Sequence, residues 1–122
     1  MIERRRFVRF DTAMNALCEI GRGIKRAYEI SNISKEGALL LLDTPLNQDS
    51  ELNLSVDIPG DNVPIFVSCS VAWQKESVKG SIMEPKRKVY ETGVKFTKID
   101  NFDKGRFLEY IYSQWLKFLE RT

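Results

Sequence analysis

The sequence predicts a mainly β domain, a six-stranded antiparallel barrel with one C-terminal α-helix. Three observations point there. Segments of strand character recur six times along the 122 residues, most alternating apolar and polar positions. Residues that break or turn the chain separate most of them. The hydrophobic period then changes once, from two to the helical spacing, near the C-terminus. Many short strands closed by one amphipathic helix fit a small barrel plugged or flanked by that helix. The chain length suits a single domain, and an apolar content of 43% supplies one real core.

The elements follow in order. Residues 1–11 read as a flexible basic arm, and residues 12–122 as the barrel domain. Met14, Ala16, Cys18 and Ile20 alternate as in a half-buried strand, and Gly21 and Gly23 mark a turn. Ala27 to Ile33 is a weaker strand carried by Tyr28 and Ile30. Gly37 to Leu42 is an apolar run that suits a strand buried on both faces. Asp43 to Ser50 has loop composition. Leu52, Leu54, Val56 and Ile58 alternate, and Pro59-Gly60-Asp61-Asn62 turns the chain. Ile65, Val67, Cys69, Val71 and Trp73 form the longest alternation, which places Trp73 in the core. Residues 75–88, with Lys86-Arg87-Lys88, read as an exposed, solvated hairpin loop. Tyr90, Thr92, Val94 and Phe96 supply the last strand. Phe107, Leu108, Ile111, Trp115 and Phe118 or Leu119 follow helical spacing over about 101–120, with Trp115 on the core side. Asp100 or Asn101 is the expected N-cap, and Asp103 suits the positive helix start.

Composition narrows the chemistry. The chain has no histidine, so the commonest general base and metal ligand are missing. Cys18 and Cys69 lie far apart in apolar alternations and read as buried reduced thiols rather than zinc ligands. The acids Glu19, Glu29, Asp43 and Asp57 have no spacing that suggests catalysis, and no phosphate-cradling glycine loop or nucleophile elbow is present. The expectation is a binding module, not an enzyme, with no cofactor and no metal. No apolar run approaches the ~20 residues of a membrane span. The charged N-terminus does not resemble a signal peptide, so a cytoplasmic protein is expected. Net charge is only +2, which argues against binding long nucleic acid mainly through charge.

The charge is instead local. Arg4, Arg5, Arg6 and Arg9 stand against the single acid Glu3 in the first ten residues. Guanidinium groups offer a rigid fork of donors to phosphate and a flat face to rings. The spacing Arg5-x-x-x-Arg9 alone fits a solvated arm equally well. Asn32-x-Ser34-x-x-Gly37 lies between two strand segments, and alone it fits a plain strand connection. Together the two motifs are suited to a guanine nucleotide. An arginine fork fits guanine N7 and O6, a guanidinium stacks on the base, and the Watson–Crick edge is open to Asn or Ser.

Arg5-Arg6-Phe7-Val8-Arg9 followed by Asn32-x-Ser34-x-x-Gly37 resembles the bipartite signature of PilZ domains, RxxxR then [D/N]xSxxG. Val71-Ala72-Trp73 resembles a strand of that family that often ends in Trp, and Gly93-Val94-Lys95-Phe96 its final strand. The similarity spans roughly residues 3–118. It implies a PilZ-type six-stranded barrel that binds the bacterial second messenger cyclic di-GMP. Under that resemblance Arg5 and Arg9 grip phosphate and guanine, Asn32 and Ser34 contact a guanine, and Gly37 makes room for it. Arg4 and Arg6 add phosphate contacts, and Trp73 is a further candidate that could stack on a base. Asn32 stands where many members carry Asp; it keeps an acceptor but lacks the charge. The implied mechanism is an arm that closes over the ligand and signals to an unidentified effector protein. Two rival readings are a ligand-independent PilZ-like interaction module and a small barrel for single-stranded nucleic acid.

Overall fold

The computed structural model describes residues 10–20 and 25–120. Six strands precede one helix: β1 (Phe10–Ile20), β2 (Lys25–Ile33), β3 (Gly37–Leu42), β4 (Glu51–Val56), β5 (Ile65–Lys79), β6 (Arg87–Ile99) and α1 (Asn101–Glu120). Every ladder is antiparallel, and the strands close in the order β1-β2-β3-β6-β5-β4, with β4 pairing back to β1. The predicted six-stranded barrel with a C-terminal helix is the observed fold.

The alternating residues meet inside. Met14, Ala16 and Cys18 of β1, Leu52, Leu54 and Val56 of β4, and Ile65, Val67, Cys69 and Val71 of β5 are all buried. Burial pushes the Cys18 thiol up to about 11 and the Cys69 thiol to about 12, so both are protonated small hydrophobes. In β3 only one face is fully in the core: Ala38, Leu40 and Leu42 point inward, while Leu39 and Leu41 are half-buried on the outside.

Gly37 to Leu42 is thus not buried on both faces as expected, and four further expectations are corrected. First, β1 starts at Phe10, which pairs with Ile33, and Asp11 pairs with Asn32, so two residues read as arm belong to the barrel. Second, the exposed loop is short. The β5–β6 ladder continues to Lys79↔Arg87 and leaves only residues 80–86 between the strands. Most of this outer ribbon is exposed, Val89 being its buried exception, so no apolar alternation marks it. Cross-strand pairs Lys88–Glu76 (2.8 Å) and Lys79–Glu91 (3.6 Å) decorate it instead. Third, Trp73 is 49% exposed rather than in the core. The register shifts between Val71 and Trp73, and a one-residue shift sends a side chain to the opposite face. Fourth, Trp115 is 38% exposed, because α1 runs beyond the barrel after its first turns. The turn expected at Gly21 and Gly23 lies outside the described residues.

The start of α1 is firmly tied down. The Asp100 carboxylate accepts N–H bonds from Phe102 (2.7 Å) and Asp103 (3.1 Å), as an N-cap does. Asp103 accepts from the Phe66 backbone (3.3 Å) and from Arg106 (3.2 Å). Arg106 also donates to Asp61 (2.7 Å) and to the carbonyls of Pro64 and Val63. The hydrogen bonds from Arg106 hold the Asp61 carboxyl below its ordinary range. Phe107 is buried and meets Phe96 edge-on, with ring centroids 5.5 Å apart. The apparatus fixes the helix to the β4–β5 connection and to β6.

Asp100→Ala should lower unfolding stability by about 0.5–2 kcal/mol, the ordinary value of a lost N-cap. Urea denaturation measures this; an unchanged midpoint would mean that Asp100 does not cap α1.

Candidate functional site

The turn from β2 to β3 carries three of the residues singled out from the sequence. Ser34 is buried, and its backbone N–H donates to the Gly37 carbonyl at 2.9 Å. Its hydroxyl accepts from the N–H groups of Glu36 and Gly37, both at 3.3 Å, and lies 3.4 Å from the Gly37 carbonyl. Side chain and backbone of one serine thus close the turn from within, the local bonding for which Ser is favoured there. On the far side of the turn, the Glu36 carbonyl accepts from Phe96 at 2.8 Å and stitches it to β6.

Gly37 is required by packing. A Cβ at this position would collide with the carbonyl oxygen of Val94, across the β3–β6 ladder where Gly37 pairs with Lys95. No larger residue fits without moving backbone. The glycine therefore sets how closely β3 and β6 approach beside the turn.

Register brings the remaining candidates into one line. Asn32 pairs with Leu39, Leu39 with Gly93, and Gly93 with Trp73. Residues opposed in a ladder share a face, so this row crosses four strands on the outside of the barrel. Asn32 and Leu39 are half-buried, and Trp73 is half-exposed. The indole lies against Gly93, where any Cβ would strike Nε1 and the five-membered ring. The row therefore presents a polar amide at one end, an aliphatic surface in the middle and a broad aromatic ring at the other. Leu39 and Gly93 were not singled out as site residues from the sequence. A glycine in the middle of a strand, as at 93, is the signal that marks close approach by a neighbouring group.

The arm enters at the same corner. Phe10, to which Arg9 is bonded, pairs with Ile33, the residue before Ser34. Arg4, Arg5, Arg6 and Arg9 themselves lie outside the described residues. Beside the turn is a cleft of about 430 Å³ bordered by Lys35, Lys95, Lys98 and Lys104, with one acid, Glu36. Its positive rim favours an anion on this side of the molecule. A second cleft of similar size, about 430 Å³, lies around Leu17, Asn53 and Phe66, away from the β2–β3 turn. The described residues singled out by the sequence lie at the turn and along the row, with the first cleft beside them.

The site offers hydrogen bonding, stacking and positive charge. Among the described residues, no group of three or more His, Cys, Asp or Glu could hold a metal ion. None of the described helices is long and apolar enough to cross a membrane.

A family model for the PilZ domain matches residues 3–113. No curated protein sequence matches the chain. Among solved structures, the PilZ domain with c-di-GMP of YcgR from Escherichia coli aligns with a TM-score of 0.72 at 15% identity, covering 98% of this chain and 97% of that one. The K. pneumonia MrkH–c-di-GMP complex aligns at 0.71 and 18% identity, over 99% of this chain and 57% of that one. The Bacillus subtilis inhibitor of motility MotI/DgrA aligns at 0.69 and 20% identity, over 95% of this chain and 53% of that one. The chain thus spans nearly all of the first structure and little more than half of the other two. At these identities the likeness is one of fold.

Gly37→Ala should cost about 1–3 kcal/mol of stability without any ligand present, because overpacking at a tight approach displaces backbone. Thermal or urea unfolding of the ligand-free protein measures it. Unchanged stability would mean that the glycine is not needed for the β3–β6 approach.

Proposed function

The chain belongs to the PilZ domain family, and from that premise we propose that it is a receptor for cyclic di-GMP, not an enzyme. The observation that carries this reading is the outer row Asn32–Leu39–Gly93–Trp73, which ends beside the entry point of the arginine arm. A guanine base set along the row would meet the Asn32 amide at its polar edge and the half-exposed Trp73 indole at its flat face. Ser34 and Gly37 would act mainly by holding the turn in shape, with any direct ligand contact secondary to that.

Arg5 and Arg9 would close the site from the opposite side. A guanidinium fork matches guanine N7 and O6, and charge-assisted bonds take up the two phosphates. Arg4 and Arg6 would add phosphate contacts. Ordering the arm costs conformational entropy, which those bonds must exceed. The closed arm would then offer an effector protein a new surface. Two of the structures aligned with this chain are described as holding c-di-GMP, which supports the same ligand here.

One observation favours a second reading, a ligand-independent interaction module. Ser34 and Gly37 are fully accounted for by the turn and the β3–β6 approach, so their presence does not by itself require a nucleotide.

A calorimetric titration separates the two. The intact protein should bind cyclic di-GMP in preference to cyclic di-AMP and GTP, and Arg9→Ala should weaken binding at least roughly tenfold, the loss expected for one bidentate arginine–guanine contact. Equal affinities for both proteins would remove the arm from the mechanism. No heat with any of the three nucleotides would favour the second reading.

A further inference from the structure

The β5–β6 ribbon ends in a tight turn. Ser81 and Glu84 exchange both backbone hydrogen bonds, each 3.2 Å, which places Ile82 and Met83 at the two corners between them. The backbone at these corners makes no demand for Gly or Asn, since neither residue has a positive φ. The corners hold two large apolar side chains, Ile82 at 103% and Met83 at 90% exposure. Neither contributes to the core, and Val78, 63% exposed, extends the apolar surface down one strand. A contiguous apolar tip left in water, with no gain in packing, marks an interaction surface.

The surroundings are basic. Lys79, Lys86, Arg87 and Lys88 flank the tip against the one acid Glu84 in the span 79–88. Lys79 and Lys88 face Glu91 and Glu76 across the ribbon. Lys86 and Arg87 make no ion pair among the described residues. An apolar tip inside a cationic collar matches the layered chemistry of an anionic bilayer, hydrocarbon beneath negative headgroups. The tip is convex, and a fluid bilayer accepts such a shape without a preformed pocket.

We propose that this hairpin is a docking finger for anionic membrane surfaces, with Ile82 and Met83 entering the interface and Lys86 and Arg87 meeting lipid phosphates. The finger continues the two strands that carry Trp73 and Gly93. The contact is peripheral and independent of which nucleotide, if any, the row binds.

Vesicle flotation tests it with the full chain, using vesicles of phosphatidylcholine alone and of equal parts phosphatidylcholine and phosphatidylserine, with and without cyclic di-GMP. The protein should float with the phosphatidylserine vesicles and not with phosphatidylcholine alone. The double variant Ile82→Ser, Met83→Ser and the double variant Lys86→Glu, Arg87→Glu should each reduce partitioning at least roughly tenfold. Circular dichroism and the unfolding midpoint should stay unchanged, since all four side chains are solvent-exposed. Failure of the native protein to float in either nucleotide condition would overturn the proposal and leave the tip for a protein partner. Undiminished flotation of the tip variant would overturn it as well.

Discussion

The contact between the Gly37 backbone and the Val94 carbonyl is the constraint on which the rest of the structure depends. Closure of a six-stranded barrel requires β3 and β6, far apart in sequence, to lie side by side. At Gly37 they approach so closely that no Cβ fits. That approach fixes the β2–β3 turn, which Ser34 closes from within and Phe96 anchors from β6. It also sets the register that aligns Asn32, Leu39, Gly93 and Trp73. Barrel closure and the assembly of the outer row are therefore one event.

The same geometry separates two duties within the Asn32-x-Ser34-x-x-Gly37 motif. Ser34 and Gly37 are buried and occupied by structure, whereas Asn32 stands half-buried on the outer row. The residues proposed to meet ligand are thus those at the ends of the row and in the arm. The residues between them hold the platform rigid. A preformed platform lowers the cost of binding.

Much of this was legible in the sequence because the physical signal was local. Residues such as Cys18, Leu54 and Val67 point into the core as alternation requires, and Asp100 caps the helix as its side chain suits it to do. Other features were hidden because their cause is not local. The alternation that ran from Ile65 to Trp73 is broken at its end by a register shift, which depends on the partner strand and leaves no mark in spacing. Past Trp73 the β5–β6 ribbon buries only Val89 and Thr92 and is otherwise half-buried or exposed, so its composition resembles that of a loop. Trp115 continues the apolar face of α1, but the helix residues packed against the core end at Ile111. The meaning of Gly93 became clear only when Trp73 was found lying on it.

The central claim is that a guanine dinucleotide rests along the outer row against the Trp73 indole. The chain has two tryptophans, Trp73 and Trp115. Replacing Trp115→Phe leaves Trp73 as the sole indole reporter, and its fluorescence during a cyclic di-GMP titration is the most direct measurement. The account predicts a saturable change in Trp73 emission that cyclic di-AMP does not produce. Binding detected by calorimetry while Trp73 emission stays constant would place the nucleotide elsewhere and contradict it.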